Sequence, residues 1–192
     1  MLIRGLAWLL IAALGIPAWA ALEDGEVAPR FEARASLAGR AFNFSLTEAL
    51  NRGTVVVYFY PSAYTQGCNL QAREFALNLE KFQAAGASVI GVSLDSIERL
   101  NDFSADPEYC AGKLPVASDP DGSVARSFGL AITGARSGMK DTRGVEIGHG
   151  FAERTTFIIT SDGRIAETIG GVSPTENVQQ SLQAVRRLTE AE

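Results

Sequence analysis

Two hydrophobic periods alternate along this chain. Thr54 to Tyr60 is an unbroken run of β-branched and aromatic residues, and Ala87 to Leu94 is nearly so. Both predict strands buried on two faces. Pro61 stops the first run, Gly67 allows a tight turn, and the period then changes. Cys68, Ala72, Phe75, Ala76, Leu79 and Phe82 fall on one face of a helix that Gly86 closes. Asp95-Ser-Ile-Glu98 caps a further helix broken at Pro107, Val116–Ser118 reads as a short strand, and Ser123 to Phe128 as a helix. Thr155–Thr160 and Arg164–Gly170 are strands joined through Ser161-Asp162-Gly163, a hairpin signal. Ser173-Pro-Thr-Glu176 is a capping box with proline at the first helical position, and Val178, Leu182, Val185 and Leu188 line the inner face of the helix it starts. The pattern is weaker elsewhere. Residues 22–40, charged and containing Pro29, read as an irregular arm, Ala41–Phe44 as a short strand, and Ser45-Leu-Thr-Glu48 as a helix start. Ile132 to Phe151, with five glycines and mixed charges, reads as a long surface loop.

Strand–helix–strand–helix followed by a hairpin and a helix predicts an α/β fold with a central mixed sheet and helices on both faces, the order a thioredoxin-like fold requires. A chain of 192 residues suffices for one such domain. The first twenty residues stand apart from it. Arg4 is their lone charge, Leu6 to Ile16 is apolar, and Ala18-Trp-Ala20 fits a small-x-small cleavage site. Residues 1–20 therefore read as a signal peptide cut after Ala20, leaving 21–192 as a single domain in the periplasm or outside the cell. An uncleaved anchor is the alternative, although the run is short for a spanning helix. Seventeen basic against 22 acidic residues give a net charge of −5, with no basic stripe. That disfavours nucleic acid or an anionic membrane as partner.

The candidate chemistry sits at the strand–helix junction. The helical pattern places Cys68 in the first turn, where unpaired N–H groups and the helix dipole favour an anion. A thiol there is expected to ionise readily, and the thiolate is the nucleophilic form. Cys110, the only other cysteine, follows the Pro107 break, where local unfolding costs little. By composition alone, two cysteines in an exported chain most often form a permanent staple, which would stabilise the domain by roughly a few kcal/mol. One histidine, His149, in a glycine-rich loop far from both cysteines offers no zinc or haem spacing and reads as a solvated loop residue. No phosphate-binding glycine motif is present, and no cofactor is implied.

Pro61, Thr65 and Cys68 stand as P-x-x-x-T-x-x-C, which resembles the active-site signature of the peroxiredoxins. Arg154-Thr-Thr-Phe-Ile-Ile159 is similar to the strand that carries their active-site arginine, and Ser118 to Gly129 to another of their segments. The resemblance runs from about Gly25 to Leu188. It implies a thiol peroxidase acting on hydrogen peroxide and organic hydroperoxides. Cys68 would be the peroxidatic nucleophile, Arg154 would hold the thiolate and polarise the peroxide, and Thr65 would donate to a peroxide oxygen. Pro61 would shield the sulfenic acid. The position of Cys110 resembles a subgroup of bacterioferritin-comigratory (PrxQ-type) peroxiredoxins in which a distal cysteine resolves the sulfenic acid as a disulfide, re-reduced by a thioredoxin-like dithiol partner. Arg73 occupies the place of the resolving cysteine in a different subgroup, so that variant is excluded. The resemblance also implies a monomer or weak homodimer.

The chain departs from the family pattern at Gln71, where a glutamate is usual, and in the length of the Ile132–Phe151 loop. Two other functions fit parts of the sequence. A protein thiol–disulfide oxidoreductase would share the fold but normally uses C-x-x-C, which is absent. A non-catalytic exported domain would keep Cys68 and Cys110 as a staple.

Overall fold

The computed structural model describes residues 20–190. The signal-peptide reading falls on residues 1–19, outside the described residues, and only its last position, Ala20, lies within them. Nine strands and five helices are described: β1 (Glu32–Leu37), β2 (Arg40–Ser45), α1 (Leu46–Leu50), β3 (Thr54–Phe59), α2 (Gln66–Ala84), β4 (Ala87–Ser93), α3 (Ile97–Ala105), β5 (Val116–Ser118), α4 (Ser123–Ser127), β6 (Ile132–Thr133), β7 (Phe151–Ala152), β8 (Thr155–Ile159), β9 (Ile165–Gly170) and α5 (Pro174–Glu190). Seven strands form one mixed sheet in the order β2-β1-β5-β4-β3-β8-β9, and β6 pairs separately with β7. β3, β4 and β5 run parallel; β8 is antiparallel to β3, and β1 to β5. The expected mixed sheet is what the chain forms.

The alternation along β3 shows why both sheet faces must be covered. Val56, Tyr58 and Tyr60 enter a core with α2, α3 and α5, while Val55, Val57 and Phe59 enter a second core with α1, α4 and Phe128. A strand apolar at every position has no face to give to water, so helices lie on both sides. Its central location puts its C-terminal end, where parallel strands deliver side chains to a site, in the middle of the molecule. Two helix starts follow the caps read from sequence: Ser45 accepts from the Glu48 amide and Ser173 from Glu176. The third is displaced by one residue, because Ser96, not Asp95, accepts from the Arg99 amide while the Asp95 carboxylate is engaged by Ser62, Ala63 and Ser93.

Two parts of the chain differ from the sequence reading. Within the expected irregular arm, Glu32–Leu37 is a full strand lying between β2 and β5. Its inward positions include alanine, too small for a strong alternating signal, and its place is set by pairing with distant strands. The 132–151 segment is also more than a surface loop. It is closed at its base by β6 and β7, carries the Lys140–Glu146 bridge, and buries Asp141 and Ile147.

Gly91 of β4 lies beneath Tyr58. A Cβ there would come 2.5 Å from Tyr58 Cζ and 2.6 Å from its hydroxyl oxygen. Tyr58 is itself stacked on Phe75 of α2, with ring centroids 4.4 Å apart. Gly91→Ala is therefore expected to destabilise the domain by about 1–3 kcal/mol through overpacking, read as a lower urea midpoint with unchanged slope.

Candidate active site

After β3 the chain turns sharply into α2. Pro61 cannot extend the strand ladder, and Tyr64 takes a left-handed backbone conformation, φ 60°. Such a conformation costs a bulky residue on the order of 1–3 kcal/mol and persists only where its surroundings hold it. Tyr64 is held from several sides. Its carbonyl accepts from the amide and hydroxyl of Thr142 at 2.8 and 2.9 Å, and its ring packs edge-on against Phe103 and Tyr109. Tyr64, not Gly67, makes the turn; Gly67 is already within the first turn of α2.

Gly67 has a different use. A Cβ at that position would lie 3.2 Å from Arg154 Nη2, so the missing side chain leaves room for the guanidinium. Arg154 arrives from the residue preceding β8, and its Nη2 donates to Cys68 Sγ at 3.3 Å. Cys68 is the third residue of α2 and is 1 % exposed. Pro61, Thr65 and Gly67 on its own segment, and Arg154 across from it, are all partly exposed, so the sulfur lies just under the surface. Thr65 occupies the N-cap position without capping through its side chain. Its hydroxyl donates instead to the Ser62 carbonyl at 2.9 Å. The first-turn amides are thus left to whatever anion forms beside them.

The second arm of the guanidinium is fixed by Gln71, the departure from the family pattern, and by residues behind it that the sequence barely marked. Arg154 Nη1 donates to Gln71 Oε1. Gln71, fully buried, donates to Asn177 Oδ1 at 2.9 Å, and Thr156 donates to the same oxygen at 2.7 Å. Asn177 Nδ2 completes the relay by donating to the Ile169 carbonyl at 3.1 Å. Four elements therefore orient one arginine through neutral amides and a hydroxyl. Among the described residues no carboxylate lies within ion-pair distance of Arg154. The usable signal was Asn177 itself, a polar residue beside the inner stripe of an amphipathic helix.

Cys110 lies in the turn after α3, fully buried, and both cysteines are free thiols. The turn is closed by the Ala111 amide on the Asp106 carbonyl and the Gly112 amide on the Ser104 carbonyl, with Ala111 left-handed at φ 55°. Burial, reinforced by the Asp106 charge, pushes the Cys110 thiol far above its ordinary value. Cys68 and Cys110 belong to the same core cluster. Both act on one buried phenol: burial, then Cys110, then Cys68 hold the Tyr58 hydroxyl well above its usual value.

His149 corrects the sequence reading. It is not a solvated loop residue: its Nε2 lies 2.8 Å from Asp95 Oδ1, and Asp95 is completely buried. A loop glycine count carries no information about such a long-range pairing. Among the described residues no group of three or more histidine, cysteine or acidic side chains is placed to hold a metal ion.

Known proteins of similar sequence and fold identify the family. The AhpC/TSA family model matches residues 25–168. Peroxiredoxin Bcp of Escherichia coli K12 is 34 % identical over 144 residues, covering 75 % of this chain and 83 % of that protein. The crystal structure of peroxidoxin BcpB from Mycobacterium tuberculosis superposes with a TM-score of 0.72 at 26 % identity, over 87 % of this chain and 98 % of that one. A structure of the Xanthomonas campestris bacterioferritin comigratory protein, described for its alkyl peroxide reduction activity, gives a TM-score of 0.65 at 25 % identity, over 88 % of this chain and 99 % of that one. With a family model matching most of its length, and a thiol, threonine and arginine set out as described, this chain belongs to the AhpC/TSA family, as a peroxidase of the bacterioferritin comigratory (PrxQ) group of peroxiredoxins.

Proposed function

We propose that Cys68 is the peroxidatic residue and that it reduces hydrogen peroxide and organic hydroperoxides. The observation that carries the reading is the pair formed by Cys68 Sγ and Arg154 Nη2 at the start of α2. The Cys68 thiolate attacks the terminal peroxide oxygen, the O–O bond breaks, and the departing oxygen takes up a proton to leave as water or an alcohol. Negative charge moves from sulfur to the leaving oxygen along this path. A guanidinium fixed beside the sulfur, together with the first-turn amides of α2, stabilises that charge at both ends. The Thr65 hydroxyl gives its proton to the Ser62 carbonyl, so in this reading it accepts from the O–H of the incoming peroxide instead of donating to it, and Pro61 limits water at the oxidised sulfur. The alkyl peroxide activity named for the Xanthomonas campestris relative supports including organic hydroperoxides.

Cys110 is assigned the resolving role. Its raised thiol pKa and full burial suit a residue that waits as a neutral thiol, not one that attacks peroxide. Its thiol displaces the hydroxyl of the Cys68 sulfenic acid, forming the disulfide and releasing water. A thioredoxin-like dithiol then reduces the bond by exchange. The leader reading places this cycle in the periplasm or outside the cell, with the partner in the same compartment. Titrating the reduced protein with hydrogen peroxide tests the scheme. Both free thiols should disappear with one equivalent, and a Cys68–Cys110 peptide should appear in a non-reducing digest. Loss of a single thiol, or a bond between two chains, would refute the intramolecular assignment.

A further inference from the structure

The long 134–150 loop is tied to the active-site turn directly at Tyr64, and at Ser62 and Ala63 through Asp95 and Arg99. Asp95, just beyond β4, accepts from the Ala63 amide at 2.7 Å, from Ser62 Oγ at 2.9 Å and from Ser93 Oγ at 2.7 Å. His149 Nε2 reaches the same carboxylate at 2.8 Å. Arg99 Nη2 bridges the Ala63 carbonyl and Asp141 Oδ2, each at 2.8 Å, and its Nε makes an ion contact with Asp95 at 2.8 Å. Thr142 bonds the Tyr64 carbonyl twice, and the Arg143 guanidinium lies 3.3 Å from the Tyr64 ring centroid. Asn69 of α2, next to Cys68, donates to Thr142 Oγ1 at 3.4 Å.

The two ring nitrogens of His149 both face oxygens that can only accept. Nε2 faces the Asp95 carboxylate, and Nδ1 lies 2.7 Å from the Gly150 carbonyl. A neutral imidazole can donate from one nitrogen alone, so the arrangement is satisfied only by the imidazolium. We propose that the 134–150 loop is a clasp on the active-site turn, and that protonated His149, acting through Asp95, is a positioning residue that holds Ser62–Thr65 in the conformation used for peroxide attack. Asp95 is the anion facing His149, and Arg99 is the opposing cation; Ser62 Oγ, 3.5 Å away, and Phe151 complete its surroundings. Asp141 pairs with Arg99 on one side and with Arg143 on the other. Burial alone would disfavour the charged ring, but the hydrogen bond and charge of Asp95 outweigh it and raise the His149 pKa. The clasp is therefore complete below the ordinary histidine value of about 6.5 and loosens as pH rises through the higher value in the fold.

This inference rests on Cys68 as the reacting residue, so its test has an arm that needs no peroxidase activity. His149→Gln keeps one donor and cannot become cationic. The rate of Cys68 oxidation by hydrogen peroxide, wild type over variant, is expected to be about ten-fold at pH 6, the loss of one charge-assisted bond. That ratio should fall towards one as pH rises through the His149 value and the ring loses its charge. Rates are compared per thiolate, with the thiolate fraction of each protein read from its own iodoacetamide alkylation profile. In parallel, amide hydrogen exchange of the 62–69 peptide, corrected for intrinsic rates, should be faster in the variant at pH 6, with the difference closing over the same rise in pH. A ratio independent of pH, or an exchange pattern unchanged by the substitution, overturns the inference. A protein without peroxidase activity but with the expected exchange pattern would sink the Cys68 assignment and leave the clasp standing.

Discussion

Cys68→Ser is expected to lower peroxide turnover with a dithiol reductant by about three orders of magnitude or more, as deletion of a covalent nucleophile does. Cys110→Ser should behave differently. It should consume one equivalent of peroxide at close to the wild-type rate and then stall, with Cys68 held as a sulfenic acid that a carbon-acid trap captures. An added monothiol should restart it. The asymmetry follows from the two environments. Cys68 lies against a guanidinium at a helix N-terminus, whereas Cys110 is fully buried and its thiol is pushed up by desolvation. If the pair were only a staple, both serine variants would lose stability together and neither would alter peroxide decay. Stopped-flow oxidation of each variant, read by mass spectrometry of trapped products, separates these outcomes. Equal single-turnover rates in Cys68→Ser and wild type would end the assignment.

The proposed resolving step would engage two segments that carry their own ties in the dithiol state. The first turn of α2 is tied by the Asn69 amide to the Thr65 carbonyl, and the Cys110 turn by amides on Asp106 and Ser104. Two cysteines can bond only when their Cα atoms come within about 7 Å. Tyr64 packs on Tyr109, the neighbour of Cys110, so the turn that carries Thr65 and the segment that carries Cys110 share a contact. Opening one side removes support from the other, which makes a joint local rearrangement less costly than two separate ones.

What could be read from the residues depended on how local each interaction is. The end of β3 at Pro61, the caps at Ser45 and Ser173, and the hairpin after β8 are written in neighbouring residues and stand as expected, and the α3 cap lies one residue on, at Ser96 instead of Asp95. β1 went unseen because alanines mark its inward face and its partners are strands far away in sequence. The turn before Cys68 was assigned to Gly67 because glycine is the usual turn residue, whereas a tyrosine pinned by Thr142 and Arg143 takes the left-handed conformation. Such a conformation is paid for by tertiary contacts, which leave no local trace. His149 and Asp95 are 54 residues apart and meet only because the loop folds back over the turn. Gln71 stood out in sequence as a missing carboxylate, and its position shows what the amide does instead.

Arg154 and Gln71 give the second large expected effect. Arg154→Met should reduce the rate of Cys68 oxidation by about a hundred- to a thousand-fold, the usual result of removing a fixed donor from a transition state that moves charge. Arg154→Lys should recover little. Lysine offers one flexible nitrogen, whereas the rigid guanidinium presents Nη1 to Gln71 and Nη2 to Cys68 at the same time. Gln71→Glu tests the charge itself. The carboxylate would keep the hydrogen bond to Nη1 and hold the arginine as firmly, but it would draw the guanidinium's charge away from sulfur and leave a buried anion against the Oδ1 of Asn177, which Gln71 Nε2 now bonds. Iodoacetamide alkylation of Cys68 should then shift to higher pH, with oxidation about ten-fold slower near neutrality and recovering as the medium becomes more basic. Gln71→Ala, which frees the arginine without adding charge, should slow oxidation without moving the alkylation profile upward by the same amount. If Gln71→Glu left the profile where it is, the neutral relay would be acting through geometry alone, and charge at Arg154 would not be what this amide preserves.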